Sequence, residues 1–336
     1  MTRISARYLG KRLVYSYVTI LVIMTLLFAL VRSMPGDFVT AMTGPTTPAG
    51  VAERLRDEWG LNQPMWKQYL SFMINYHTFN FGWSPSMNAP VSAIVTRRLP
   101  RTMILFGAVY IVGTIMGPLI GMYLGWWRGS FKDRSVFTTG LMAYSIPSFW
   151  LAWLIIWLVN YRLEWLPTSY MITQFIDEWG LYGQYGVTHW TVMVDVFRHI
   201  LAPFLSIVLI GWVGTMLIMR TNMNNVVDSE YVDLARAKGL SERTVLLKHA
   251  ARTALIPVAT GAIVGIVTIL DGSVIIENVF NWPGVGDLIV DAVLGRDYPL
   301  AQALFYVLAI LIVVMRLITD VVYTYLDPRI KFGGEN

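Results

Sequence analysis

The chain has 336 residues, of which 55% are hydrophobic and 14% charged, with a mean hydropathy of +0.54. A soluble domain carries about 25% charged residues, so this composition belongs in a lipid bilayer. The net charge of +5 does not point to nucleic acid once the basic residues are placed along the chain, and the absence of cysteine excludes disulfides, thiolate chemistry and Cys-ligated metal.

Six stretches without Asp, Glu, Lys or Arg follow one another, at about residues 13–31, 102–127, 136–161, 200–219, 254–270 and 298–315. A crossing needs ~20 apolar residues. The expected fold is therefore an all-α polytopic membrane protein with about six transmembrane helices. The fifth stretch is the shortest and can extend past Asp271. Arg3, Arg7, Lys11 and Arg12 precede the first stretch in the manner of a signal peptide. That run exceeds a signal h-region of ~7–15 residues and lacks a small-residue cleavage site, so it reads as a retained span.

Charge orients the spans. The first 12 residues carry four basic and no acidic groups, residues 128–135 three and one, and residues 220–253 six and four. On the other side, residues 162–199 carry two basic and four acidic groups, and residues 271–299 one and five. The positive-inside bias puts both termini in the cytoplasm. Residues 32–101 run against it with seven basic and four acidic groups, but so long a loop does not set orientation.

The expected organisation is a cytoplasmic N-terminus and first span (1–31), an extracytoplasmic segment (32–101), a five-helix block (102–326) containing a cytoplasmic loop (220–253), and a cytoplasmic tail (327–336). The external segment holds an amphipathic stretch at 51–61. It also holds an aromatic run of Trp66, Tyr69, Phe72, Tyr76, Phe79, Phe81 and Trp83. Such a run fits either an interfacial belt or a partner-docking surface. The loop 162–199 is aromatic too, with Trp165, Tyr170, Trp179, Tyr182, Tyr185 and Trp190. In the second span Gly113, Gly117, Gly121 and Gly125 form a ladder that lets another helix approach closely, from this chain or from a partner. Pro118, Pro147 and Pro257 are expected to bend or interrupt their helices.

Little here does chemistry. His77, His189, His199 and His249 have no metal-binding spacing, and there is no P-loop and no nucleophile elbow. No span holds an acid or base near its centre, which leaves a proton relay unsupported. Asp271 and Glu277 fall at the outer end of the fifth span, and Arg316 and Asp320 at the inner end of the sixth. A stand-alone channel or repeat-built carrier finds no internal repeat to support it. The chain is not expected to be an enzyme.

The informative segment is the charged island 229–257. Asp228 or Ser229 can cap a helix whose first turn carries Glu230 and Asp233, where negative charge is favoured. Tyr231, Leu234 and Ala235 share one apolar face. Lys238 suits the last turn, Gly239 the left-handed stop, and Ser241 the cap of a second helix. A rigid helix–Gly–helix at the membrane surface reads as a docking element.

The island resembles the EAA loop of ABC-importer permeases in its dipeptide/oligopeptide subfamily form. Asp233, Ala235 and Gly239 fall where that loop has its Glu, second Ala and Gly. The subfamily's wording is matched by Tyr231-Val232, by Ala235-Arg236-Ala237-Lys238-Gly239-Leu240-Ser241 and by His249-Ala250-x-Arg252-x-Ala254-Leu255-Ile256-Pro257, with Glu230 replacing a leading Asp. The likeness covers nearly the whole chain. It includes Arg32-x-x-Pro35-Gly36-Asp37, Gly60-Leu61-x-x-Pro64, Arg98-Leu99-Pro100-x-Thr102, Pro147-x-Phe149-Trp150 and Leu166-Pro167. It continues in Glu277-x-Val279-Phe280-x-Trp282-Pro283-Gly284-x-Gly286, Arg296-Asp297-Tyr298-Pro299, Asp320-x-x-Tyr323 and Asp327-Pro328-Arg329-Ile330. Departures are Tyr170, Asn222, Arg316 and the length of the loop 162–199.

The resemblance implies the type I ABC importer permease fold in an inner cell membrane. It implies a second homologous permease, two ATP-binding subunits that bind ATP and magnesium, and an extracytoplasmic solute-binding protein, with no cofactor in this chain. Glu230, Tyr231, Asp233, Leu234, Ala235, Arg236, Ala237, Lys238, Gly239, Leu240 and Ser241 would couple it to the ATPase. Tyr231, Leu234 and Ala235 would fill a groove, with Glu230, Asp233, Arg236 and Lys238 as the polar rim. The implied cargo is di- or oligopeptide, with oligosaccharide, a nickel chelate or glutathione as alternatives.

Overall fold

Backbone in hydrocarbon must satisfy its own polar groups, and the computed structural model meets this demand with helices. It describes residues 6–33, 49–58, 60–167, 169–172, 189–265 and 273–326. Pro35-Gly36-Asp37, Trp179, Tyr182, Tyr185, Asp271 and the tail 327–336 lie outside the described residues. Among those described, four helices are long and apolar enough to cross a membrane: α1 (Ala6–Ser33), α4 (Val91–Trp126), α7 (His189–Val227) and α13 (Tyr298–Leu326). The third expected span is a pair, α5 (Phe131–Tyr144) and α6 (Ser148–Ile155), the latter prolonged by a π-helical turn Ile156–Arg162. The pair is bent by 96°. Pro147 stands at the break, extended rather than helical, with φ −59° and ψ 132°. Pro257 and Pro118, by contrast, lie within helices that continue. Of the fifth expected span, α10 (Ala251–Gly265) is described.

The chain forms two compact units, residues 1–101 with 284–325, and residues 102–283 with 326–336. The last span thus groups with the N-terminal segment rather than with the block it follows. Specific ties within the first unit account for this. Arg12 pairs with Asp320 at 2.6 Å. Tyr76 of α3 (Met65–His77) meets Tyr306 edge-on, with ring centroids 5.0 Å apart. A short hairpin pairs β1 (Trp83–Ser84) with β2 (Ala89–Pro90), Trp83 opposite Pro90. Buried Asp297, just ahead of α13, accepts from Ser84 Oγ at 2.5 Å, Ser86 Oγ at 2.6 Å and Ser86 N–H at 3.1 Å. Its other oxygen accepts from the Leu300 N–H at 3.2 Å and caps the helix.

The external aromatic run divides by face. Tyr69, Phe72, Tyr76 and Phe81 pack inward, with Phe28 of α1 against Tyr69 and Phe72 and a Thr25–Tyr69 hydroxyl contact of 2.8 Å. Trp66, Phe79 and Trp83 remain exposed. In the same unit, α12 (Val285–Leu294) holds Asp287. Burial, reinforced by neighbouring Asp291 and opposed by Arg98, pushes the Asp287 carboxyl up to about 6.

In the second unit the glycine ladder packs within the chain. A Cβ at Gly117 would run into Thr215 Oγ1 and the Trp212 carbonyl, at Gly121 into the Met216 carbonyl, and at Gly125 into Met223. The ladder lets α4 lie against α7 at backbone contact. Thr215 seals the approach with a 3.0 Å bond to the Gly113 carbonyl. The motif around Trp282 is also core. Ile276, Phe280 and fully buried Trp282 join Leu105, Phe106 and Ala152 in one cluster, and the Phe280 carbonyl accepts from the Tyr170 N–H at 3.1 Å. Asn160 holds the Leu166-Pro167 turn through both carbonyls.

Candidate functional site

The island folds into α8 (Glu230–Ala237), a glycine stop, α9 (Glu242–Thr244) and a π-helical turn Val245–Ala250 that leads into α10. Ser229 occupies the N-cap position with φ −78° and ψ 144°, yet its hydroxyl turns back to donate to the Val226 carbonyl at 2.6 Å. Asp228 is engaged by Arg128 at 2.7 Å. The expected side-chain cap is therefore absent, and Glu230 and Asp233 in the first turn supply the negative charge that the exposed N–H groups favour. At the far end the Lys238 N–H reaches the Leu234 carbonyl at 3.1 Å. Gly239 takes φ +72° and donates to the Arg236 carbonyl at 2.9 Å. Ser241 opens the next helix through its carbonyl, while its hydroxyl contacts Thr244 Oγ1 at 2.9 Å.

The helix has two apolar faces. Val232 and Ala235 are buried among Trp126, Met219, Met223, Val227, Val245, Leu246, Ala250 and Ala254. Tyr231 and Leu234 point away from that core and are 41% and 56% exposed. Glu230, Asp233, Ala237, Lys238, Gly239, Leu240 and Ser241 are exposed as well. This corrects the sequence expectation for Ala235, which is 3% exposed and unavailable to a partner's groove. Sequence reading grouped Tyr231, Leu234 and Ala235, whereas packing sorts by size. The small Ala235 and β-branched Val232 sit under the helix, and the larger Tyr231 and Leu234 stand out from it. The i, i+3 pair Val232–Ala235 was the available signal for the inner face.

Arg236 belongs to the frame more than to the rim. Its guanidinium lies 5.0 Å from the Trp126 ring centroid and pairs with Asp233 at 3.1 Å and Glu242 at 3.4 Å. One side chain thereby ties α8, the following helix and the end of α4. Nearby, Arg220 on α7 forks onto buried Asp133 at 2.7 and 2.9 Å and stacks over Phe137 at 4.4 Å. Asp133 also accepts from the Gly129 N–H at 2.8 Å, and its own N–H donates to Ser130 Oγ at 3.1 Å. The Ser130 hydroxyl is thus the N-cap of α5, and the Gly129 bond fixes the turn ahead of it. Asn222 donates to the Ala254 carbonyl at 3.3 Å and links α7 to α10. The island is thus fastened to the ends of α4, α7 and α10, and α7 in turn to α5. No sequence motif pointed to Trp126, Asp133 or Arg220, because their partners lie far away along the chain.

Among the described residues no three His, Cys, Asp or Glu side chains gather as a metal site. The arrangement has the parts of a mechanical contact: two exposed apolar side chains on a helix whose other face is set into the helix bundle.

Comparison with known proteins gives two family matches. Residues 117–332 match the binding-protein-dependent transport system inner membrane component, and residues 5–106 its N-terminal counterpart. The chain is 32% identical over 332 residues to the oligopeptide transport system permease protein AppB of Bacillus subtilis, covering 97% of this chain and 100% of the relative. It is 31% identical over 325 residues to the glutathione transport system permease protein GsiC of Escherichia coli K12, covering 97% and 99%. The probable peptide ABC transporter permease protein y4tP of Sinorhizobium fredii is 31% identical over 327 residues, covering 97% and 99%.

Proposed function

The chain belongs to the family of binding-protein-dependent transport system inner membrane components, and on that premise we propose that it is the permease subunit through which an ATP-driven importer moves di- and oligopeptides into the cell. It is a multi-pass membrane protein of the type I importer permease fold, a transport subunit that works with ATPase and substrate-binding partners. In this reading both termini are cytoplasmic, as the charge bias supports. A second homologous permease completes the path, two ATP-binding subunits hold ATP and magnesium, and an extracytoplasmic binding protein delivers the cargo. Peptide cargo is supported by relatives named for oligopeptide, peptide and glutathione transport. Oligosaccharide and nickel chelate have no such support among them.

The observation that carries the reading is the split character of α8. Its Tyr231–Leu234 face is exposed, which supports contact with a partner, and its Val232–Ala235 face is seated in the bundle. Closure of the ATPase subunits on ATP would press the outer face. The inner face would pass that displacement to the ends of α4, α7 and α10 and rock the spans between inward-open and outward-open states, a rigid-body change of a bistable assembly. The Arg236, Arg128 and Arg220 ties remove slack from the transmission. A stand-alone channel or carrier would leave this ordered helix–Gly–helix without a use.

Mass spectrometry of what co-purifies with the tagged chain from its native membrane tests the reading. Recovery of a second permease, ATP-binding subunits and a peptide-loaded binding protein is expected. Recovery of the chain alone, still transporting, would contradict it.

A further inference from the structure

The second unit contains a cavity of about 300 Å³ whose walls include Phe106, Tyr110, Thr114, Ser148, Thr215 and Ile276. At ~1.5 Å per residue, its Gly113 lies roughly 20 Å along α4 from Trp126, Gly261 roughly 15 Å along α10 from Ala251, and Gly211 roughly 14 Å along α7 from Arg220. In a hydrocarbon layer of ~30 Å these positions are near the middle. None of the described residues lining the cavity is Asp, Glu, Lys or Arg. A void left by imperfect packing in a membrane bundle is apolar and dry. This one is lined by hydroxyls. The buried Tyr110 hydroxyl faces Thr114, one turn along α4, but makes no well-formed hydrogen bond among the described residues. At that depth no lipid can supply one. The site asks for a polar, uncharged guest group.

The glycines around it point the same way. Gly117, Gly121 and Gly125 are required by the close approach of α7, since a Cβ at each would collide with it. Gly211 and Gly261 are different, because a Cβ at either meets nothing within 4 Å. Helix packing does not demand them, and glycine inside a helix weakens it. Their effect is room on the cavity wall.

We propose that this cavity is a point on the translocation path where the backbone of a passing peptide is held, its amide carbonyl accepting from the Tyr110 hydroxyl and its side chain lodged against Gly211 and Gly261. The proposal rests on the peptide-importer reading above. The volume is at the lower end of the ~300–1,000 Å³ of small-molecule sites, so it holds one residue of an extended chain rather than the whole cargo. The Tyr110 bond goes to the backbone, so its share of the hold is common to peptides with different side chains.

Because the chain has no cysteine, Gly261→Cys places a single thiol on the wall. In the complete transporter in proteoliposomes, its modification by a methanethiosulfonate reagent is read by the mass of this chain. With binding protein and ATP present the thiol is expected to react, and a saturating tripeptide to slow the reaction about fivefold or more, as occlusion by a bound group requires. A thiol that reacts equally fast with and without peptide, or in no state at all, overturns the proposal. Tyr110→Phe gives a second test that removes one oxygen. It is expected to lower uptake of neutral, acidic and basic tripeptides by a common factor of about five, the loss of one hydrogen bond. Unchanged uptake would overturn the proposal as well. Wild-type uptake in the same vesicles separates the two failures. A wild type that moves no peptide sinks the peptide reading, and a wild type that moves peptide while the thiol stays unprotected sinks the cavity alone.

Discussion

The Arg236 guanidinium lies over the Trp126 indole, 5.0 Å from the ring centroid. The pair joins the helix proposed to meet the ATPase to the end of a membrane span, and neither residue has a neighbour in sequence that would announce the other. A planar guanidinium can stack and fork at once, which an ammonium cannot. Arg236→Lys is therefore expected to keep the charge and lose part of the coupling, and Trp126→Ala to lose a similar part. A double-mutant cycle on thermal stability should return an interaction of about 0.5–1 kcal/mol. Additive effects would mean that the stacking does no work.

Gly239 holds φ +72° at the stop after α8. A β-branched residue is strained there, and the strain would displace α8 from its seat. Gly239→Val is expected to leave ATP hydrolysis running while peptide uptake falls at least tenfold, and Gly239→Asn to be milder because Asn tolerates the left-handed region. Parallel hydrolysis and uptake assays check both. Near-normal uptake in the Val variant would count against the docking role.

Asp133 is buried, with a two-pronged bond to Arg220 and a third bond from the Gly129 N–H. Removing one partner of such a pair leaves the other uncompensated. Asp133→Ala is expected to destabilise the protein by roughly 3 kcal/mol, read as a lower melting temperature in detergent. The paired replacement of Asp133 and Arg220 by apolar residues should recover much of the loss.

Asp287 has a carboxyl raised by burial to about 6, against an ordinary value of 3.8. Its protonated form is thus favoured in the folded protein. Its stabilising contribution is present in full below about pH 3.8 and is lost as pH rises through about 6. Between those values the wild type should lose stability with rising pH relative to Asp287→Asn. Thermal melts of both proteins across that window check the sign, and parallel curves would refute the shift.

What could be read from sequence was what local chemistry decides. The α8 start near Ser229, the acidic first turn and the glycine stop depend on residues within a few positions of one another. The small-residue spacing of Gly117, Gly121 and Gly125 announced a close helix approach, but its partner surface, Trp212 to Met223, is a tertiary fact. The faces of α8 were harder. Tyr231, Val232, Leu234, Ala235 and Ala237 surround so short a helix that periodicity alone gives no single inner side. Burial of Ala235 followed from what α7 and α10 leave room for. The grouping of α13 with the N-terminal segment was equally hidden, because Asp297 finds Ser84 and Ser86 only after folding.

The measurement closest to the central claim is photo-crosslinking from a benzophenone amino acid at Leu234 in the assembled transporter, with Leu26 of α1, also exposed, as the comparison site. The account predicts a covalent adduct between the Leu234 probe and an ATP-binding subunit, with none from the Leu26 probe. A Leu234 probe that labels only lipid or this chain would contradict it.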